Sequence, residues 1–294
     1  MAFVMKFTHA SDNYPLLDLP GVDGLRHIYA RSPGHGGDAW IHLIPGTEKA
    51  LVLDTGFGIG DLRALIDSLT DLPTFVVNSH NHIDHVGSNC QWDKVYIHKN
   101  DVAGLIEQTS KLGIELPLPA PEDRDFVYTD EDIVYPKEYE IIPIENGHVF
   151  DLGGGYEIEV IHVPGHSAGG IVLLDRKRRI LFTGDALLAS HVFVRGGYID
   201  GKKNPYNTIE KYREGLSRIM EHFDEFDLVY GSHSRLGVSK QLVLDFAACC
   251  DELLAGDLTI NQQPTVPACS GFVGGYHRHG MARINFSPDF IHVD

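Results

Sequence analysis

The chain has 294 residues, 43% of them hydrophobic, with 41 acidic against 24 basic side chains and a formal net charge of −17. That size suits one large α/β domain or two small ones, and the apolar content is ordinary for a globular protein. The acidic excess argues against a surface built for nucleic-acid phosphates, which needs Lys and Arg to displace counterions, and no run approaches the roughly 18 apolar residues of a membrane span. Cys90, Cys249, Cys250 and Cys269 show neither C-x-x-C spacing nor the density of a disulfide framework. Residues 1–6 lack the basic-then-apolar order of a signal peptide. Cys249 and Cys250, adjacent in a helix-like run, are expected as reduced core residues, and the expected compartment is the cytoplasm.

Residues 1–24 carry little pattern. Strands are expected over 25–30, 39–44 and 50–53, separated by the turn-rich segments 32–37 and 45–47. The third strand runs into Asp54-Thr55-Gly56. Asp54 there is either a turn residue or a carboxylate that orients a metal-ligating histidine; both readings stay open. Residues 59–70 have helical spacing, with Leu62, Leu65, Ile66 and Leu69 on one side. A strand over 74–78 leads into the densest motif of the chain, and another strand follows at 95–97. A helix over 101–108 would take Asn100 as its N-cap.

That motif is Ser79-His80-Asn81-His82-Ile83-Asp84-His85, followed by Val86-Gly87. Three histidines and an aspartate directly after an apolar strand form a donor set for zinc and its borderline neighbours. In extended backbone His80 and His82 point to one side and can reach one ion. Asp84 and His85 follow once the chain has begun to turn, and can face a second ion.

Residues 113–140, proline-rich and then acidic, read as an insertion, either a solvated loop or a lid. A half-buried strand over 155–163 ends in Pro164-Gly165-His166-Ser167. Strands at 171–174 and 180–182 flank a basic turn, and the second ends in Thr183-Gly184-Asp185. A helix is expected over 211–223, a strand over 228–230 ending in Gly231-Ser232-His233, and an apolar-faced helix over 239–254. The tail beyond 261 has turns and no clear period. His80, His166, Asp185 and His233 thus each sit just past a buried-type strand, where ligands from several strands can converge on one sheet edge.

Those residues carry a family resemblance. His80-Asn81-His82-Ile83-Asp84-His85, Pro164-Gly165-His166-Ser167, Gly184-Asp185, Gly231-Ser232-His233 and the earlier Asp54-Thr55-Gly56 together resemble the metallo-β-lactamase superfamily of hydrolases, in its dinuclear glyoxalase-II-like and lactonase-like branch. The resemblance spans about 50–240. It implies an α/β fold, the four-layer αβ/βα sandwich of two mixed β-sheets with outer helices. The chain is expected as one such domain over 1–294, with the insertion at 113–140 and an irregular C-terminal extension from about 256. The resemblance also implies ligand roles: His80, His82 and His166 for a first metal, Asp84, His85 and His233 for a second, and Asp185 bridging both. The expected cofactors are two divalent ions, zinc first, with iron and manganese as alternatives that the same ligands accept.

Two cations about 3.5–4 Å apart lower the pKa of a shared water and polarise the substrate oxygen. The leading expectation is therefore a hydrolase that uses a metal-bridging hydroxide to cleave a carboxylic ester, thioester or lactone of a small-molecule substrate. Asp84 has a second expected role, as the acceptor of the nucleophile's proton. A bridging aspartate is unlike the true β-lactamases. Ala186-Leu187-Leu188-Ala189 lacks the tyrosine that lactonases for acyl-homoserine lactones carry after that aspartate. The tail does not read as the helical domain of glyoxalase II proper. The alternatives are a phosphodiesterase or nuclease, which no basic stripe supports, and a mononuclear iron sulfur-oxygenase, which the intact second ligand set opposes. A non-enzymatic metal-binding protein ranks last. His191, Phe193, Tyr198 and Tyr206 are candidates to line a pocket, while His277 and His279 read as structural or surface residues. The oligomeric state stays open, a homodimer included.

Overall fold

The structure is a computed structural model and describes residues 16–32, 37–110, 133–194, 196–199, 201–233, 235–256 and 275–293. The expected insertion falls largely outside these residues. The chain divides into two compact units.

The first unit carries a seven-stranded mixed sheet in the order β1-β2-β3-β4-β5-β6-β7. Strands β1 (Leu16–Pro20), β2 (Arg26–Ala30), β3 (Ala39–Pro45) and β4 (Ala50–Leu53) form an antiparallel meander. Helix α1 (Leu62–Leu69) then crosses over to β5 (Thr74–Val77), which runs parallel to β4. The short helix α2 (Ile83–Val86) leads to β6 (Lys94–His98), parallel to β5, and then to helix α3 (Val102–Ser110) and the last strand, β7 (Glu140–Ile144). The parallel core strands are apolar on both faces: Leu51, Val52, Val76 and Val77 are fully buried. Burial of each such side chain is worth about 1.5–3 kcal/mol.

The second unit carries a six-stranded sheet. It contains β8 (Val149–Asp151), β9 (Glu157–His162), β10 (Ile171–Asp175) and β11 (Ile180–Gly184). Next come β12 (Val192–Val194), the small hairpin β13 (Tyr198–Ile199) and β14 (Lys202–Lys203), and helix α4 (Ile209–Glu221). Strands β15 (Leu228–Gly231) and β16 (Val238–Ser239) complete the sheet in the order β16-β15-β11-β10-β9-β8, with β11 and β15 parallel. Helix α5 (Gln241–Leu254) and the hairpin β17 (Gly275–His279) and β18 (Ala282–Phe286) close the chain, β18 pairing parallel with β12. Ile209, Tyr212, Leu216 and Ile219 of α4 and Phe246, Cys249 and Cys250 of α5 fill one core with the sheet. Cys90, Cys249 and Cys250 are free and buried.

Differences from the sequence reading lie at element ends. Helix α1 begins at Leu62 because the Asp61 side chain accepts the Ala64 N–H at 2.9 Å, a cap worth about 1 kcal/mol. Thr208 caps α4 in the same way, so that helix starts before 211. Asn100 is not an N-cap: a 3₁₀ turn, Lys99–Asp101, precedes α3, and the Asn100 amide donates to the Ala168 carbonyl at 3.3 Å. Among the described residues, no helix is long and apolar enough to cross a membrane.

Candidate metal centre

In the first unit the site grows from the end of the parallel pair β4 and β5. Asp54 leaves β4 with its N–H on the Val77 carbonyl at 2.9 Å and a left-handed backbone, φ 65°. Non-glycine residues rarely adopt that conformation, and where they do it often marks a functional site. The buried Asp54 carboxylate accepts the Ser79 N–H at 2.7 Å on Oδ1 and the Ser79 hydroxyl at 2.8 Å on Oδ2. It also accepts His85 Nδ1–H at 2.8 Å. With its own proton donated, Ser79 Oγ accepts from His80 Nδ1 at 3.0 Å. Both imidazoles therefore carry their protons on Nδ1 and turn an Nε2 lone pair outward. His80 Nε2 lies 3.0 Å from His82 Nδ1, and His85 Nε2 lies 3.4 Å from Asp84 Oδ2. Asp54 is thus the orienting carboxylate rather than a turn residue.

The backbone of this loop is tied down as tightly as its side chains. The His85 carbonyl accepts from the Thr55 N–H at 2.8 Å and from the Asn78 amide at 3.1 Å, and Asn78 and Asn89 bond each other through both amide groups. Gly87 closes the motif where nothing larger fits: a Cβ there would lie 2.2 Å from Gly58 N and Phe57 C.

In the second unit Asp185 follows β11, and its two oxygens face two imidazoles. Oδ2 lies 3.5 Å from His166 Nε2, and Oδ1 lies 3.4 Å from His233 Nε2. His166 Nδ1 donates to the Phe193 carbonyl at 3.0 Å, which again leaves the Nε2 lone pair available to a ligand. The loop that carries His166 depends on Gly165: its φ is +133°, and a Cβ would meet Tyr212 Cβ of α4 at 2.7 Å.

Sequence reading missed the clamp on this loop. Asp101 is buried; its carboxylate accepts the Ser167 hydroxyl at 2.7 Å and the Gly169 N–H at 2.6 Å. No local signal marks Asp101, which reads as an ordinary helix-start residue; its partners are 66 and 68 positions away. His98 and His162 stack beside it, ring centroids 3.9 Å apart. Burial, aided by His162, holds the His98 imidazole down at about 3. The His191 imidazole, on the segment after Asp185, is held at about 4, by burial first and then by Arg283, with Asp185 opposing. Tyr198 stands exposed with its ring against Phe290. His277 and His279 each bond one oxygen of Glu252, at 2.6 and 2.7 Å, in a structural cluster.

The donor set fits a divalent ion. It is made of imidazole nitrogens and carboxylate oxygens, with several distal nitrogens locked by hydrogen bonds as ligating histidines require. Among the described residues, the His and Asp side chains that fall into groups able to hold a metal are His80, His82, Asp84, His85, His166, Asp185 and His233, the seven singled out by sequence.

A protein-family comparison matches residues 34–221 to the metallo-beta-lactamase superfamily. The chain belongs to that superfamily and is a hydrolase of it. The matched span includes six of the seven residues; His233 lies beyond it. The chain is 31% identical, over 69% of its length and 74% of the relative's, to the acyl-coenzyme A thioesterase MBLAC2 of Bos taurus. It is 26% identical, over 68% of its length and 88% of the relative's, to the hydroxyacylglutathione hydrolase GloC of Haemophilus influenzae. In fold it resembles the metallo-beta-lactamase FIM-1 from Pseudomonas aeruginosa in its mono-zinc form, with a TM-score of 0.57 at 13% identity over 83% of this chain and 98% of that one. The expected fold class is borne out.

Proposed function

We propose that this protein is a metal-dependent thioesterase that hydrolyses an acyl thioester of a small carrier thiol. His80, His82 and His166 would hold one divalent ion, Asp84, His85 and His233 a second, and Asp185 both; zinc is the ion the donor set suits first. The observation that carries the reading is Asp185, whose two oxygens face the Nε2 atoms of His166 and His233, one from each proposed ligand set. Two relatives named for thioester-type substrates support the bond class. When bound, the ions supply Lewis acidity: a water acidic enough to ionise near neutral pH and a polarised carbonyl. The chain supplies the rest. Asp54, Ser79 and the Phe193 carbonyl fix the orientation of His85, His80 and His166. Asp84 takes the proton that the attacking water loses. The carbonyl carbon gains that oxygen as the C–S bond breaks, and the proton passes from Asp84 to the departing thiolate, giving a carboxylic acid and a thiol. The free buried cysteines fit a cytoplasmic setting.

The test is release of free thiol from an acyl-coenzyme A by protein purified without chelator, alongside metal content per chain. Turnover that chelation removes and zinc restores, with about two ions per chain, is expected. Turnover of bis(p-nitrophenyl) phosphate alone would overturn the reading.

A further inference from the structure

Arg278 and Arg283 face each other directly across β17 and β18. Like charges in that position repel and destabilise a hairpin unless something neutralises them. Both guanidinium groups also crowd Tyr276, at 5.3 and 5.7 Å from its ring centre. Among the described residues no carboxylate pairs with either arginine. This is conspicuous in a chain with 41 acidic side chains, where four other arginines of this unit do find acids: Arg176 on Glu159, Arg178 on Asp175, Arg179 on Asp227 and Arg213 on Asp251. Arg283 Nε is buried and has no hydrogen-bond partner, a costly arrangement for a charged donor. Burial, and then Arg278, push the Arg283 guanidinium below its ordinary range.

The two arginines line a cavity of about 120 Å³ with Ser190, Gly280, Met281 and Ala282. Pockets for whole ligands run to about 300–1,000 Å³, so this cavity takes one group of a ligand. His191, next to Ser190 in the chain, feels the charge of Arg283 together with those of Asp185, His233 and His166.

We propose that Arg278 and Arg283 form a phosphate-binding site that holds the phosphorylated end of the thiol carrier, as in a coenzyme A thioester. The proposal rests on the thioesterase reading. Two guanidinium forks on facing strands match a phosphate, which carries about −1.5 to −2 charge and three acceptor oxygens, whereas one carboxylate would leave a positive charge unpaired. The Ser190 hydroxyl is a further donor at the rim.

The test compares kcat/KM for an acyl-coenzyme A, for the phosphate-free S-acyl-pantetheine and for S-acylglutathione, in wild type, Arg278→Gln, Arg283→Gln and Arg283→Lys. The coenzyme A to pantetheine ratio is expected to fall about tenfold or more in each Gln variant and to recover partly in Arg283→Lys, the size of a lost charged hydrogen bond. Exposed Arg278 makes its variant a safeguard against misfolding of the other. An unchanged ratio would overturn the proposal, as would a loss confined to S-acylglutathione, which would assign the pair to a carboxylate. Calorimetric titration of adenosine 3′,5′-bisphosphate into the metal-loaded protein separates this site from the reaction. Binding that wild type shows and Arg283→Gln loses supports the site even if no thioester is cleaved. No difference between the two proteins overturns it.

Discussion

Asp54 Oδ2 and His85 Nδ1 lie 2.8 Å apart, and both side chains are sealed from solvent. The same oxygen holds the Ser79 hydroxyl, which in turn holds His80. One carboxylate thereby sets the tautomer of two proposed ligands. Asp54→Asn keeps the size and loses an acceptor, so metal affinity should fall about 10- to 100-fold, read by competition with a chelating dye. Affinity within twofold of wild type would mean that packing alone orients the rings.

Asp84 is partly exposed, beside the fully buried His85. Asp84→Asn separates its ligand role from its proton role. With two ions still bound, kcat should drop about 100-fold and lose its acidic limb in the pH–rate profile. Near-normal turnover with both metals retained would end the proton role.

Asp101 clamps the loop of His166 from outside the metal set. Asp101→Ala leaves the Ser167 hydroxyl and the Gly169 N–H without their acceptor, at about 2–3 kcal/mol in stability, read as a lower thermal midpoint. Because His166 sits one residue from Ser167, metal content should fall as well. Lost stability with full metal occupancy would show the clamp to be purely structural.

His27 and His42 are a buried pair on β2 and β3, their Nδ1 atoms 2.9 Å apart. Burial holds His27 down at about 4, with Asp18 opposing, and His42 well below its ordinary value. An unfolded imidazole titrates near 6.5, so below that pH the unfolded chain binds more protons. The neutral pair therefore contributes its full stability above pH 6.5, and that stability is lost as pH falls toward about 4, at about 3 kcal/mol for His27 alone. Urea midpoints of wild type and His27→Gln, measured near pH 7.5 and 4.5, should differ most strongly at the higher pH. Parallel midpoints across the range would refute the linkage.

The sequence by itself determined the seven proposed metal-binding residues and the alternation of strands and helices around them. Both are written locally: the ligands crowd into short motifs, and buried strands read as apolar runs such as Leu51–Leu53 and Ile171–Leu174. Tertiary structure decided what orients those ligands. Asp54 had two readings until its carboxylate was seen on His85, and Asp101 had none until its partners closed from 66 and 68 residues away. The Arg278–Arg283 pair was equally silent, because strand register alone sets two like charges opposite each other. Periodicity and propensity report neighbours along the chain; a hydrogen bond or charge pair between distant segments leaves no such period, and only the folded backbone brings its partners together.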